Sequence, residues 1–245
     1  LEYNMTIEII VTSIEEARKA QEYGASRLEL IHSFELGGLS PSLQLSQAVC
    51  NAVNIPVNIM VRPHGRSFCY NNTEISQIIS EIEFLRDNTR ANGIVFGALN
   101  LDDHIDTKLL EAVIAAKKYL SLTFHRAIDE AYNTLDAYKT LLKYKEIDLV
   151  LTSGGMNTAI EGAEVIKQMI ELNTSHCQVL AGSGIIPENA ANLITATGVN
   201  QIHLGSGVRE NDILSKTKFQ KLLAELEQEH GSKPAASYNA LSSQT

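Results

Sequence analysis

Eight short apolar stretches recur along this chain, each followed by a segment with helix signals, and that alternation leaves few folds open. Apolar strands alternating with helices imply a parallel sheet covered on both faces. Eight such units in 245 residues suit a closed α/β barrel of the TIM (β/α)8 type better than an open sheet. The strands are expected at Thr6–Val11, Arg27–Ile31, Pro56–Val61, Ile94–Phe96, Leu120–Phe124, Ile147–Leu151, Gln178–Leu180 and Gln201–Leu204. Ser13 and Glu16 form a capping box for a helix that stops at Gly24, and Ser40-Pro41 reads as a cap followed by a first-turn proline. Further helices are expected from a cap near Thr73, over Lys108–Tyr119, after Pro187 and over Lys216–Gln228. No linker or compositional break divides the chain, so residues 5–229 are expected to form one barrel. Residues 1–4 read as a short extension and 230–245 as a polar tail, poorly ordered or serving as a docking arm.

A net charge of −9 without a basic cluster argues against nucleic acid and anionic lipid as partners. No apolar run approaches the roughly 18 residues that span a bilayer. Cys50, Cys69 and Cys177 show no close-spaced pairing, which points to a reducing, cytoplasmic location.

In a barrel of this type the C-terminal ends of the strands carry the chemistry. Leu122 to Asp129 places His125, Arg126 and Asp129 at such an end. Side chains alternate along a strand, so His125 and Arg126 share the mouth only if the strand has already ended. Glu8 and Glu29 are carboxylates inside apolar strands, and burying them unpaired costs several kcal/mol, roughly. Arg62 and Arg126 are candidate counter-charges. This set reads either as a structural ion network or as an acid–base site with tuned pKa values. Ser153, Gly154, Gly182, Gly184, Gly205 and Ser206 follow the last three strands, where backbone N–H groups in such barrels often meet phosphate. The same glycines also suit plain tight turns, and Arg209 beside them reads more readily as solvated. Cys-x-x-Cys and His-Glu-x-x-His are absent. His32, His64 and Cys69 follow adjacent strands at one end and form a candidate soft-metal set, with surface positions as the plainer reading.

Several segments in order carry a family resemblance: Arg27-Leu28-Glu29-Leu30, Gly37-Gly38-Leu39-Ser40-Pro41-Ser42, Met60-Val61-Arg62-Pro63, Val95-Phe96-Gly97-Ala98-Leu99, Thr123-Phe124-His125-Arg126-Ala127 and Leu151-Thr152-Ser153-Gly154-Gly155. Together they resemble the copper homeostasis protein CutC family from Met5 to about Glu229. The resemblance implies a TIM-type barrel, a cytoplasmic home, self-association as a homo-oligomer, and a link to copper, with Cu(I) as the expected ion. Many members of that family carry cysteine two residues after each strand glutamate, and those thiols are the favoured Cu(I) ligands. Here Ile10 and Ile31 occupy these positions and cannot ligate a metal.

Three readings follow. One is a copper-handling protein that binds Cu(I) without turnover. Another is a barrel enzyme acting on a small anionic or phosphorylated metabolite, with Glu8 or Glu29 as base, His125 as acid–base partner and Arg62 holding the anion. The third is an oligomeric scaffold with a decayed site.

Overall fold

The computed structural model describes residues 5–172 and 176–231. The terminal segments 1–4 and 232–245 lie outside them. Eight parallel strands close into a barrel in sequence order: β1 (Thr6–Val11), β2 (Arg27–Leu30), β3 (Val57–Met60), β4 (Gly93–Phe96), β5 (Ser121–Phe124), β6 (Leu149–Thr152), β7 (Gln178–Gly182) and β8 (Gln201–Leu204). Eight helices accompany them: α1 (Ile14–Tyr23), α2 (Leu43–Ala52), α3 (Asn72–Asn88), α4 (Thr107–Lys117), α5 (Thr134–Leu141), α6 (Ala163–Leu172), α7 (Pro187–Thr197) and α8 (Lys216–Gly231). The barrel closes where Glu8 of β1 stands in register with His203 of β8. No helix among the described residues is long and apolar enough to cross a membrane.

The helix ends follow local chemistry, with several shifts from the sequence expectation. Ser13 caps α1 and Gly24 ends it in the left-handed conformation, as expected. The capping box is not completed, because the Glu16 carboxylate accepts the backbone N–H of Thr12 at 2.9 Å and pairs with Arg209. The cap of α2 is Ser42 rather than Ser40, because the Ser40 hydroxyl instead accepts the backbone N–H of Arg62 at 2.9 Å. Asn71, not Thr73, opens α3, in a reciprocal capping box with Glu74. The last helix runs on to Gly231, past the start of the tail expected from the sequence.

Alternation along each strand sorts the core into two parts. Ile7, Ile9 and Val11 of β1 and Leu28 and Leu30 of β2 pack outward with helix residues such as Ala17, Ala20 and Val49. Ile31, Met60 and Val95, joined by Ile10 and Phe34, form a separate apolar cluster. The intervening positions of β1, β2, β3 and β8 point Glu8, Glu29, Asn58 and His203 into the interior, where all four are buried. A polar interior on one side of an otherwise apolar barrel is what locates the site.

Candidate active site

Glu8 and Glu29 lie on neighbouring strands, with Glu8 opposite Arg27 and Ile10 opposite Glu29 in the register. Glu29 therefore stands one inward-facing step nearer the mouth than Arg27. The Glu8 carboxylate receives the Arg27 guanidinium on one oxygen and approaches Nδ1 of His203 at 2.8 Å with the other. Arg27 also donates to Gln201 at 3.0 Å. On the far side of the His203 ring, Nε2 lies 3.6 Å from a Glu29 oxygen. The other Glu29 oxygen is buried and has no hydrogen-bond partner among the described residues.

These surroundings push the two carboxylates apart. Burial alone would raise the pKa of Glu8, but Arg27 and His203 together outweigh it and hold the group at about 2. For Glu29 burial dominates, His203 opposes it only in part, the charge of Glu8 adds to it, and the carboxyl is pushed up to about 7. His203 is raised: burial disfavours its charge, but Glu29 and Glu8 more than offset that. Glu8 thus orients His203, while Glu29 is poised to take or give a proton near neutral pH.

Above this pair lies a cavity of about 490 Å³ bordered by Glu29, His203, Arg62, His125, Arg126 and the loops after β7 and β8. Ile10, Ile31 and Met60 supply part of its apolar wall. Strand β5 ends at Phe124, so His125 and Arg126 both reach the cavity. His125 caps the short 3-10 helix Arg126–Glu130, its Nδ1 accepting the backbone N–H of Ala127 at 3.1 Å. Burial, then the charge of Arg62, lowers its pKa to about 3. Phe68 packs at 5.0 Å between ring centroids. Gly97 leaves room for the ring, since a Cβ there would lie 2.4 Å from His125 Nδ1. Gly97→Ala is expected to cost about 1–3 kcal/mol by overpacking. Chemical denaturation measures that loss, and a loss below about 0.5 kcal/mol would contradict so tight a seat.

The arginines divide the work differently from the sequence reading. Neither Arg62 nor Arg126 neutralises the strand glutamates; Arg27 and His203 do. Arg126 pairs with Asp129 at 2.8 Å and donates to Ser153 at 3.0 Å. Asp129 also accepts the backbone N–H groups of Ser153 and Gly155, tying the loop after β5 to the loop after β6. Arg209 is not solvated, but buried and paired with Glu16. Arg62 differs from all of these. It is buried, stacks over Phe68 at 4.5 Å and donates to the carbonyls of Leu36, Gly37 and Gly38 at 3.2–3.4 Å, yet makes no ion pair among the described residues.

Of the other expected ligand-binding positions, Gly184, Gly205 and Ser206 border the cavity. Ser153, Gly154 and Gly182 are not among the residues that border it. Packing accounts for several of these glycines. A Cβ at Gly154 would meet the Gly162 carbonyl oxygen at 2.4 Å, one at Gly182 would meet Leu151 at 2.6 Å, and one at Gly205 would meet Phe34 at 2.7 Å. Sequence reasoning passed over Arg27 and His203. Both could have been found by the rule that singled out Glu8, because each is a polar residue in an apolar strand.

The expected metal donors do not converge. His32 is exposed, His64 faces Glu74 at 3.2 Å, and the Cys69 thiol lies 3.4 Å from the Asn100 carbonyl. Among the described residues the one group of three possible donors is Glu8, Glu29 and His203. Glu8 and Nδ1 of His203 are already engaged there, and the group holds no soft sulfur ligand. Burial also raises the Cys50 and Cys177 thiols to about 11 and about 12, which disfavours thiolate. These donors do not fit Cu(I).

Fold and site together define a (β/α)8 barrel with a buried cluster of two carboxyls and a histidine beneath a cavity that Arg62, Arg126 and Asp129 border. The chain belongs to the CutC family, whose sequence model matches residues 5–208. It is 38% identical over 197 residues to the human protein named copper homeostasis protein cutC homolog, covering 80% of this chain and 71% of that protein. A CutC family protein of Treponema denticola is 38% identical over 213 residues, covering 87% and 86%. The crystal structure of the putative copper homeostasis protein CutC from Streptococcus agalactiae superposes with a TM-score of 0.77 at 25% identity, covering 84% of this chain and all of that one. Phosphoribosyl anthranilate isomerase from Thermococcus kodakaraensis shares the fold, with a TM-score of 0.61 at 17% identity over 91% and 98% of the two chains.

Proposed function

We propose that the mouth of this barrel is a general acid–base site for a small anionic metabolite, with Glu29 and His203 moving the proton and Arg62 holding the anion. The observation that carries this reading is a buried Arg62 without a carboxylate partner, bordering the same cavity as a carboxyl whose free oxygen has no partner. Three carbonyls and the Phe68 ring meet the Arg62 guanidinium without cancelling its charge, and an anion in the cavity would supply that counter-charge. Glu8 is the positioning residue: its ionised carboxylate fixes which His203 nitrogen faces inward. Any part this chain takes in copper homeostasis would then run through a metabolite rather than through thiolate ligation of Cu(I).

Ligand-observed NMR with a mixture of small carboxylates and phosphate esters tests the reading. At least one is expected to bind, and Arg62→Met is expected to weaken it by about 10–100-fold, the loss of one charge-assisted contact. Equal binding by the wild type and the variant, or no anion bound by the wild type, would overturn it.

A further inference from the structure

We propose that His125 supplies, through Nε2–H, the hydrogen bond that stabilises an enolate oxygen, so that the substrate is a small anion carrying an acidic C–H next to a carbonyl group. This inference rests on the acid–base reading above and names its reaction class.

The tautomer of His125 follows from its neighbours. Nδ1 accepts the Ala127 N–H at 3.1 Å and therefore carries a lone pair, which leaves the single proton of the neutral ring on Nε2. Burial and the nearby Arg62 charge keep the ring neutral across the physiological range. The residue is 3% exposed, and Nε2 has no partner among the described residues. Gly97 and Phe68 fix the ring against the cavity wall. A buried N–H without an acceptor costs about 1–3 kcal/mol, and such groups recur at sites built to bind something.

A neutral imidazole is a hydrogen-bond donor and a poor proton donor. It suits an oxygen that gains charge and loses it again within one turnover. Glu29 supplies the complementary base. In the step itself the C–H bond breaks and its proton goes to the Glu29 carboxylate. The electron pair forms a C=C bond while the carbonyl becomes C–O⁻, held by His125. Return of the proton from Glu29 to the same carbon restores the carbonyl without oxidation or reduction. Arg62 would hold the substrate's permanent negative charge throughout.

Calorimetric titration with four probes tests this. Oxalate and phosphoglycolohydroxamate are planar enolate mimics, and malonate and glycerol 3-phosphate are their non-planar anionic counterparts. At least one mimic is expected to bind wild type ten-fold or more tighter than its counterpart. His125→Asn keeps an acceptor for the Ala127 N–H but removes the distal donor. It is expected to weaken that mimic by about 10–100-fold and the counterpart by several-fold less, so that the preference shrinks. His125→Gln restores a donor near the Nε2 position and is expected to recover part of the preference, with thermal melting confirming that both variants fold. Mimics binding no better than their counterparts, or a preference that survives His125→Asn, would overturn the enolate role and leave the anion site standing. If none of the four binds, the acid–base reading falls as well.

Discussion

Replacing Glu8 by alanine is expected to destabilise the protein by about 3–5 kcal/mol. The variant strands two groups at once. Arg27, mostly buried, loses its counter-ion, and His203, buried beneath the cavity, loses the acceptor at its Nδ1. Breaking a buried pair from one side costs far more than the pair contributes relative to an apolar replacement, because the remaining charge cannot return to water. Glu8→Gln keeps the shape and one acceptor, so its loss is expected to be smaller. Urea denaturation measures both. The pH dependence carries the same signature with a definite sign. The folded-state pKa of Glu8, about 2, lies below its ordinary 4.5. Its contribution is therefore present above pH 4.5 and fades as pH falls toward 2. A loss below about 1 kcal/mol for Glu8→Ala would mean that the network does not hold the barrel interior together.

Glu29→Gln is expected to act in the opposite way, removing proton transfer while sparing the fold. Turnover of whichever anion proves to be the substrate should fall by about 10²–10⁴-fold, the usual contribution of a positioned acid or base. Anion binding through Arg62 should survive. Stability is expected to shift in favour of the variant as pH rises. Glu29 titrates at about 7 in the fold against an ordinary 4.5, so wild type is fully stable below pH 4.5 and loses stability as pH climbs through 7. The neutral amide escapes that loss, which amounts to roughly 3 kcal/mol at most. Melting temperatures of the two proteins across pH 4.5–8 would show wild type falling behind. Parallel curves would mean that Glu29 is not held protonated by burial.

Much of this arrangement is legible in the sequence, and the parts that are not share one cause. The barrel follows from eight apolar strands alternating with capped helices, and the two strand glutamates stand out by interrupting apolar runs. Which arginine meets them does not follow. Arg62 and Arg27 are both near at hand in the sequence, and only the register that sets Arg27 opposite Glu8 decides between them. His203 is nearly two hundred residues from Glu8 and meets it because the barrel closes β8 onto β1, so its role depends on closure rather than on local pattern. The glycines show the converse: a residue that admits a phosphate is equally one that admits a neighbouring chain. At Gly154 the near neighbour is the Gly162 backbone, and at Gly205 it is the ring of Phe34. The cap of α2 escapes the sequence for a related reason: Ser40-Pro41 is the better local match, and Ser42 takes the role because the Ser40 hydroxyl is bound to the Arg62 backbone. Ile10 and Ile31 join Met60 and Val95 in one apolar cluster, so a cysteine placed at either position would put a thiol beside hydrocarbon.

The most direct test is a carboxyl carbon NMR titration of protein labelled at glutamate, with Glu29→Gln and Glu8→Gln used to assign the two signals. Expected is one carboxyl that titrates near pH 7 and vanishes in Glu29→Gln, and another that stays ionised down to about pH 2 and vanishes in Glu8→Gln. Two carboxyls titrating together near their ordinary 4.5 would contradict the division into a fixed orienting carboxylate and a poised proton carrier.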